Sequence, residues 1–525
     1  MTVEPDIQGQ IAELIALGES LLASGKLQDA AQLFNGLRAV DPANFEVNKQ
    51  LGIVLATQGD FRGAIAPLSD AVARRADDAL TWNVLSVCLF EAGDYPQALA
   101  AADAALVFWR QFAAAHNNRG NALGRLGRHG EAVEALEAAL ALEPDDPVAL
   151  VNLANVLRSL GQRTEALDRL DRALRLEARI PQAHVNRANL LQDLGRHGEA
   201  LESYAAALAL DPNSVDARWN RSLCNLLTGH FEEGWHEYEW RWRRNAPETA
   251  PRGLPQPLWL GQASLEGRTI LLHAEQGLGD AIQFIRYAPL VAARGARAIV
   301  EAPAPLAELF AAVEGVSQVV ARGAPLPTVD FQTPLMSLPL ALGVFEPLAA
   351  SPYLVTPPDR MAAWRERLGP GDRPRVGLAA RGSPTHGADR DRSIPLAQMI
   401  AALPKGLDYH LLQKELAPAD RDTVASGGPR FWGDQIANFC DTAALAEQMD
   451  VVVSVDTAVA HLAGALGRPT QVLCAYDPDW RWGLTAEASP WYGCVKIRRQ
   501  AARGDWSAAL AAVAADLTAL LAAAR

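Results

Sequence analysis

His273-Ala-Glu-Gln-Gly-Leu-Gly-Asp-Ala-Ile-Gln-Phe284 is the stretch on which the C-terminal part of this chain turns. The apolar run Thr269-Ile-Leu-Leu leads into it and reads as a short buried strand. A helical pattern follows, with Ala281, Phe284, Ile285, Ala288 and Val291 on one face. Between them a tight turn holds Gly277 and Gly279, then Asp280. Strand, glycine turn and helix start, in that order, place backbone N–H groups toward a ligand. A glycine there lets the ligand approach because no Cβ intervenes. Asp280 has two readings on its own: a helix cap, or the working carboxylate of a site.

Working outward, 525 residues are enough for about three domains. A hydrophobic share of 49% and a charged share of 21% describe a globular chain. The net charge of −13 argues against general binding to nucleic acid or to an anionic membrane surface. Cys88, Cys224, Cys440, Cys474 and Cys494 lie far apart with no CxxC pair. That spacing suits a reducing compartment and supports neither a disulfide frame nor a zinc site. The first residues show no basic and apolar leader, and no run of 18 apolar residues occurs. The expectation is a cytoplasmic protein without membrane insertion.

Upstream lies a repeat. Glycines fall at 25, 59, 93, 127, 161, 195 and 229, each 34 residues after the last. Alanines follow at 30, 64, 98, 132, 166 and 200, with Gly234 in the seventh place. Phe34, Leu68, Leu136, Leu170, Tyr204 and Tyr238 come four positions further, Ala102 being the exception. Each unit reads as two helices, the glycine closing the first with a left-handed cap and the small residue admitting close packing. About seven such units over 8–246 make a superhelix with a concave face. The period and small-residue positions resemble the tetratricopeptide repeat.

One regularity in the repeats bears on function. Asn118, Asn152, Asn186 and Asn220 occupy the sixth position of their units, and Asn121, Asn155 and Asn189 stand three residues on. Positions three apart share a helix face, so a double row of amides is expected. Such amides can pair with an extended peptide backbone, or with one another to steady the stack. The arrangement is similar to the asparagine ladder of the protein O-GlcNAc transferases. The first three units carry Ala16, Gln50 and Val84 instead.

The last unit becomes aromatic, with Trp235, Tyr238 and Trp242 on one face, which suits packing at a domain junction. Pro247, Pro251, Pro255 and Pro257 mark a boundary near residue 250. Beyond it, strand-like runs at 269–275, 297–301 and 318–321, and then at 375–380, 409–413, 451–455 and 471–475, alternate with helices. The expected class is α + α/β: a solenoid, then two Rossmann-like halves over 252–355 and 360–525, with Pro352, Pro357 and Pro358 between them.

The second half carries Asp456-Thr-Ala-Val-Ala-His461 after the strand Val451–Val455. A helix starting there offers free N–H groups to a phosphate, and His461 lies one turn in. Caps and a core histidine are the plainer reading of the same residues. This segment, continued by Leu-Ala-Gly-Ala-Leu-Gly-Arg-Pro469 and Asp477-Pro-Asp-Trp-Arg-Trp482, resembles the donor-site segment of the heptosyltransferase-like glycosyltransferases of GT-B class, family 9. Gly277-Leu-Gly-Asp280 resembles the opening motif of that family, and the stretch 381–394 its phosphate-contacting loop. Repeat arrays fused to such a domain resemble the bacterial flagellin-modifying protein glycosyltransferases.

No acidic DxD-type cluster points to a metal, since Asp477 and Asp479 sit in the tryptophan-rich segment, so a metal-independent glycosyltransferase with no cofactor is expected, and the resemblance implies inversion at the sugar carbon. Its donor would be a nucleotide sugar, either a CMP-nonulosonic acid or an NDP-sugar. Asp280 matches the family's general base. Gly277, Gly279, Arg392, Gln413, Asp456, Thr457 and His461 match donor-binding positions. With the amide rows as the peptide site, the expectation is a protein O-glycosyltransferase acting on Ser or Thr of a polypeptide, with flagellin a candidate partner. Two rivals stand beside it: transfer to a glycan or lipid, with the repeats used for assembly, and a non-catalytic adaptor.

Overall fold

The computed structural model describes residues 7–244, 252–349, 352–382 and 389–524, with backbone only for 7, 8 and 390. Pro247 and Pro251 and residues 383–388 of the 381–394 loop lie outside the described residues. The chain forms two compact units, residues 1–213 and 214–525. Among the described residues, no helix is long and apolar enough to cross a membrane.

The first unit is a run of antiparallel helix pairs, from Ile7–Ala23 and Leu27–Val40 to Pro181–Asp193 and His197–Leu210. Every glycine of the 34-residue series is left-handed, with φ between 73° and 88°. That conformation strains any residue with a Cβ, so glycine is what permits the turn inside each pair. Asn44, Asp60, Asp78 and Asp94 each accept a backbone N–H at a helix start. The packing inside a pair depends on a second small residue. A Cβ on Gly18 would lie 2.4 Å from Phe34, one on Gly52 2.3 Å from Leu68, and one on Gly120 2.5 Å from Leu136. The large residue of the second helix therefore fills the space that glycine leaves on the first.

The second unit begins with the helices Val215–Thr228 and Phe231–Tyr238 and the tight turn Glu239–Arg243. Two sheets follow, each with every pairing parallel. The first has the order β3-β2-β1-β4, with β1 Thr269–His273, β2 Arg297–Ala302, β3 Val316–Ala321 and β4 Phe331–Pro334. The second has the order β10-β9-β8-β5-β6-β7, with β5 Arg375–Ala379, β6 Asp408–Leu411, β7 Arg430–Phe431, β8 Val451–Val455, β9 Thr470–Cys474 and β10 Val495–Arg499. The alternation of runs missed β4, β7 and β10. Each is the end strand of its sheet, and β4 and β7 are too short to show a period.

One apolar cluster joins the two halves and the leading helices. Trp235 stands edge-on to Trp480 at 5.4 Å and to Phe284 at 5.6 Å, and its indole N–H donates to the Phe345 carbonyl at 3.0 Å. Pro358 opens the helix Pro358–Leu368 that leads into the second sheet.

Two glycines in one helix pair test the packing account. Gly120→Ala should cost about 1–3 kcal/mol, whereas Gly130→Ala, which meets nothing within 4 Å, should be neutral or slightly stabilising. Urea unfolding followed by circular dichroism separates them. Equal effects would contradict the assigned contact.

Candidate functional site

The turn after β1 sets Asp280 in place. Gly277 is the cap of the helix Leu278–Phe284, and Asp280, at its third position, accepts the Gly277 N–H through Oδ2 at 2.8 Å. Gly279 meets the second half directly: a Cβ there would lie 2.9 Å from His461 Cδ2 and 3.5 Å from Ala458 Cα. The space beside Gly279 is thus occupied by the helix Ala458–Ala465, which packs along Leu278–Phe284.

The second half answers with an arginine. Arg481 Nη2 donates to Asp280 Oδ1 at 2.5 Å, Nε to Gln283 Oε1 at 2.8 Å, and Nη1 to Asp479 Oδ1 at 2.8 Å. Its guanidinium lies 4.2 Å from the Trp480 ring centre, and the residue is buried.

Asp456 and Thr457 follow β8, and Thr457 is the cap of Ala458–Ala465 without a side-chain cap bond. Its hydroxyl lies 3.2 Å from Ser454 Oγ. His461 is buried; its Nδ1 is hydrogen-bonded to the Tyr492 hydroxyl at 2.9 Å and its Nε2 lies 3.9 Å from Asp456 Oδ1. The ring stacks on Trp482 at 5.2 Å. Burial, then the charges of Arg481, Arg286 and Arg392, hold His461 well below the usual imidazole range, so it is neutral at pH 7. Asp456 is pushed up to about 6, by burial first and by Asp479 next, against the pull of Trp482, Arg392 and Arg481.

Arg392 thus acts electrostatically on both Asp456 and His461. Its Nε has a loose 3.5 Å ion pair with Asp389 and no hydrogen bond among the described residues. Gln413 accepts the Ala380 N–H at 3.1 Å and donates to the Glu415 carbonyl at 2.9 Å, tying the ends of β5 and β6 together. Asp280, Gly277, Gly279, Asp456, Thr457, His461 and Arg392 are therefore drawn together from both halves. Gln413 stands at the strand ends with its amide engaged by backbone.

The residues before the glycine turn are tied to the leading helices. Arg241, fully buried, donates to Glu275 Oε1 at 2.9 Å, to Glu239 Oε1 at 2.7 Å and to Ser337 Oγ at 2.7 Å. The Tyr238 hydroxyl accepts from Gln276 at 3.1 Å. Burial pushes the Glu275 carboxyl up to about 7 despite Arg241, and Glu239 and Asp280 add to the rise. Neither Glu275 nor Arg481 stood out in the sequence, because each matters through a partner far along the chain.

The amides of the repeats divide. Asn118 donates to Asn83 and Asn152 to Asn117, each at 2.8 Å, so these two bind the preceding repeat. Asn186 accepts from Gln182 at 2.8 Å and Asn189 from the Tyr204 hydroxyl at 2.5 Å. Asn121 is half-buried, and Asn155 is exposed on the wall of a cavity of about 480 Å³ with Arg158, Ser159, Gln182, Asn186 and Asp193. Asn220 lies in the helix Val215–Thr228 of the second unit. A larger cavity of about 630 Å³, beside Trp259 and Arg294, sits at the amino-terminal edge of the first sheet, away from Asp280.

Residues 437–497 match the glycosyltransferase family 9 (heptosyltransferase) model. Residues 21–88, 88–147, 125–188 and 181–214 match tetratricopeptide repeat models. The chain therefore joins tetratricopeptide repeats to a segment of the family 9 type. That segment holds Asp456, Thr457, His461, Arg481 and Tyr492. Protein FlbA of Caulobacter vibrioides is 30% identical over 339 residues, covering 57% of this chain and 54% of FlbA. The chain thus spans about half the length of that relative. A tetratricopeptide repeat protein from Parabacteroides merdae covers 45% of this chain and is itself covered to 94%, with a TM-score of 0.40 and 16% identity. A chain of the APC/C hetero-tetramer Cut9-Hcn1 covers 41%, is itself covered to 42%, and has a TM-score of 0.37 with 18% identity.

The Glu275 environment predicts a pH dependence. A carboxyl raised in the folded state binds its proton more tightly there than in the unfolded chain. Its contribution therefore grows as pH falls through the window from about 7 to about 4. Glu275→Gln should shrink the gain in unfolding free energy between about pH 8 and about pH 5 in urea melts. An unchanged gain would contradict it.

Proposed function

We propose that the protein is an O-glycosyltransferase that moves a sugar from a nucleotide-sugar donor to a Ser or Thr hydroxyl of a polypeptide bound by the repeats. The observation that carries this reading is the meeting of Asp280 from the first half with the Asp456–His461 segment of the second. The donor phosphate would sit at the free N–H groups opened by Thr457, with Arg392 as its cation. His461, being neutral, would hydrogen-bond rather than pair as a charge.

In the reaction the acceptor oxygen bonds to the sugar carbon as the bond from that carbon to the phosphate oxygen breaks. The hydroxyl proton goes to Asp280, and the phosphate leaves with the electron pair. Both Asp280 oxygens already accept one hydrogen bond, and each keeps a further lone pair for that proton. A single displacement of this kind inverts the sugar carbon, and Arg392 and the backbone N–H groups would carry the charge of the leaving phosphate. CMP-nonulosonic acids and NDP-sugars are both donors of the required chemistry. The reaction would then run in the compartment that supplies such donors, with the cytoplasm as the proposed one.

Polypeptide acceptance is supported by the exposed amide of Asn155 and the cavity beside it. Asn121, Asn186 and Asn189 would add contacts, while Asn118 and Asn152 serve mainly to hold the stack. The family 9 match favours a second reading, transfer to a saccharide or lipid acceptor with the repeats used for assembly.

Intact mass of co-expressed candidate acceptors, flagellin foremost, decides between them. A sugar-sized gain with the wild type, and a rate lower by about 10² or more with Asp280→Ala, is expected. A gain on a saccharide or lipid and none on any polypeptide would overturn the protein acceptor.

A further inference from the structure

Arg481 and Arg392 both stand near the charged groups of the site, yet their environments differ. Each of the three guanidinium nitrogens of Arg481 is held by a protein side chain, and the side chain is only 8% exposed. The Nε of Arg392 lacks a hydrogen bond among the described residues, and its side chain is 17% exposed. An arginine that takes a phosphate needs its fork free, and Arg481 has committed its fork to fixed partners.

Those partners show what it fixes. Asp280 lies on a short helix, and its own loop holds only Oδ2. Arg481 holds Oδ1, and it is itself held by Gln283, three positions after Asp280 on the same helix. Asp479 and the Trp480 face hold it on the second half. Trp480 in turn packs against Trp235 and Trp491. The carboxylate is thereby clamped from both halves, one oxygen by each.

We propose that Arg481 is the positioning residue of the transfer reaction: reaching across from the second half, it fixes the plane of the Asp280 carboxylate against the acceptor hydroxyl. The proposal rests on the assignment of Asp280 as proton acceptor. A misplaced base loses rate, not donor affinity. A lysine keeps the charge at this place but cannot reach three partners in one plane.

The test compares Arg481→Lys, Arg481→Met and Arg481→Ala in steady-state transfer, with thermal melts as the check on folding. Each should lower kcat by about tenfold to a hundredfold, with the donor KM within about threefold of the wild type. Added guanidinium should restore part of the kcat of Arg481→Ala and none of that of Asp280→Ala. Combining Arg481→Met with Asp280→Asn should lower kcat no further than Asp280→Asn alone. A raised donor KM with unchanged kcat would overturn the proposal, as would multiplicative losses in the double variant. If the wild type transfers no sugar to any acceptor, the proposed function fails. The clamp is then read from the melts, where the two substitutions must be less than additive for it to stand.

Discussion

The second unit depends on the contact of two helix starts, one from each sheet. Leu278–Phe284 and Ala458–Ala465 lie so close that a single methyl at Gly279 would strike His461. Close packing of this kind leaves little room for adjustment, because interiors are as dense as organic crystals. The residues at the two starts are therefore held in one arrangement. Asp280 comes from one side, Asp456, Thr457 and His461 from the other, and Arg481 spans the junction.

Buried arginines secure that junction in both directions. Arg481 runs from the second half to Asp280 and Gln283 on the first. Arg286 runs from the first half to the Trp491 carbonyl at 2.7 Å, and also reaches the Tyr353 hydroxyl at 3.0 Å. Tyr492, next to Trp491, is the hydrogen-bond partner of His461. Removing one partner of a buried charged bond leaves the other unsatisfied, at a cost of several kcal/mol. The polar network accordingly fixes the halves in register while the Trp235, Trp480 and Phe284 rings supply apolar burial.

Much of this was legible in the sequence. The 34-residue glycine series gave the repeats because only a left-handed turn demands glycine so regularly. The strands β1, β5, β8 and β9 were readable because strands buried on both faces show continuous apolar runs. β10 has no continuous apolar run: it is an edge strand in which Val495 and Ile497 alternate with Lys496 and Arg498, over too few residues to stand out. The strand, glycine turn and helix start around Gly277 to Asp280 were legible as such. What could not be read was the occupant beside Gly279, which proved to be His461 and not open space. Arg481 lies 201 positions from Asp280, a separation that no local pattern spans. The amide rows were visible, but their pairing across repeats, 35 residues apart, assigns Asn118 and Asn152 to the stack.

Hydrogen–deuterium exchange can show whether the proposed nucleotide-sugar site is built from both halves at once. The full chain would be labelled alone and with CMP, UDP, ADP or GDP. At least one nucleotide should slow exchange in residues 276–284 and 455–462 together. Protection confined to one of these segments, or to neither with any nucleotide, would contradict it.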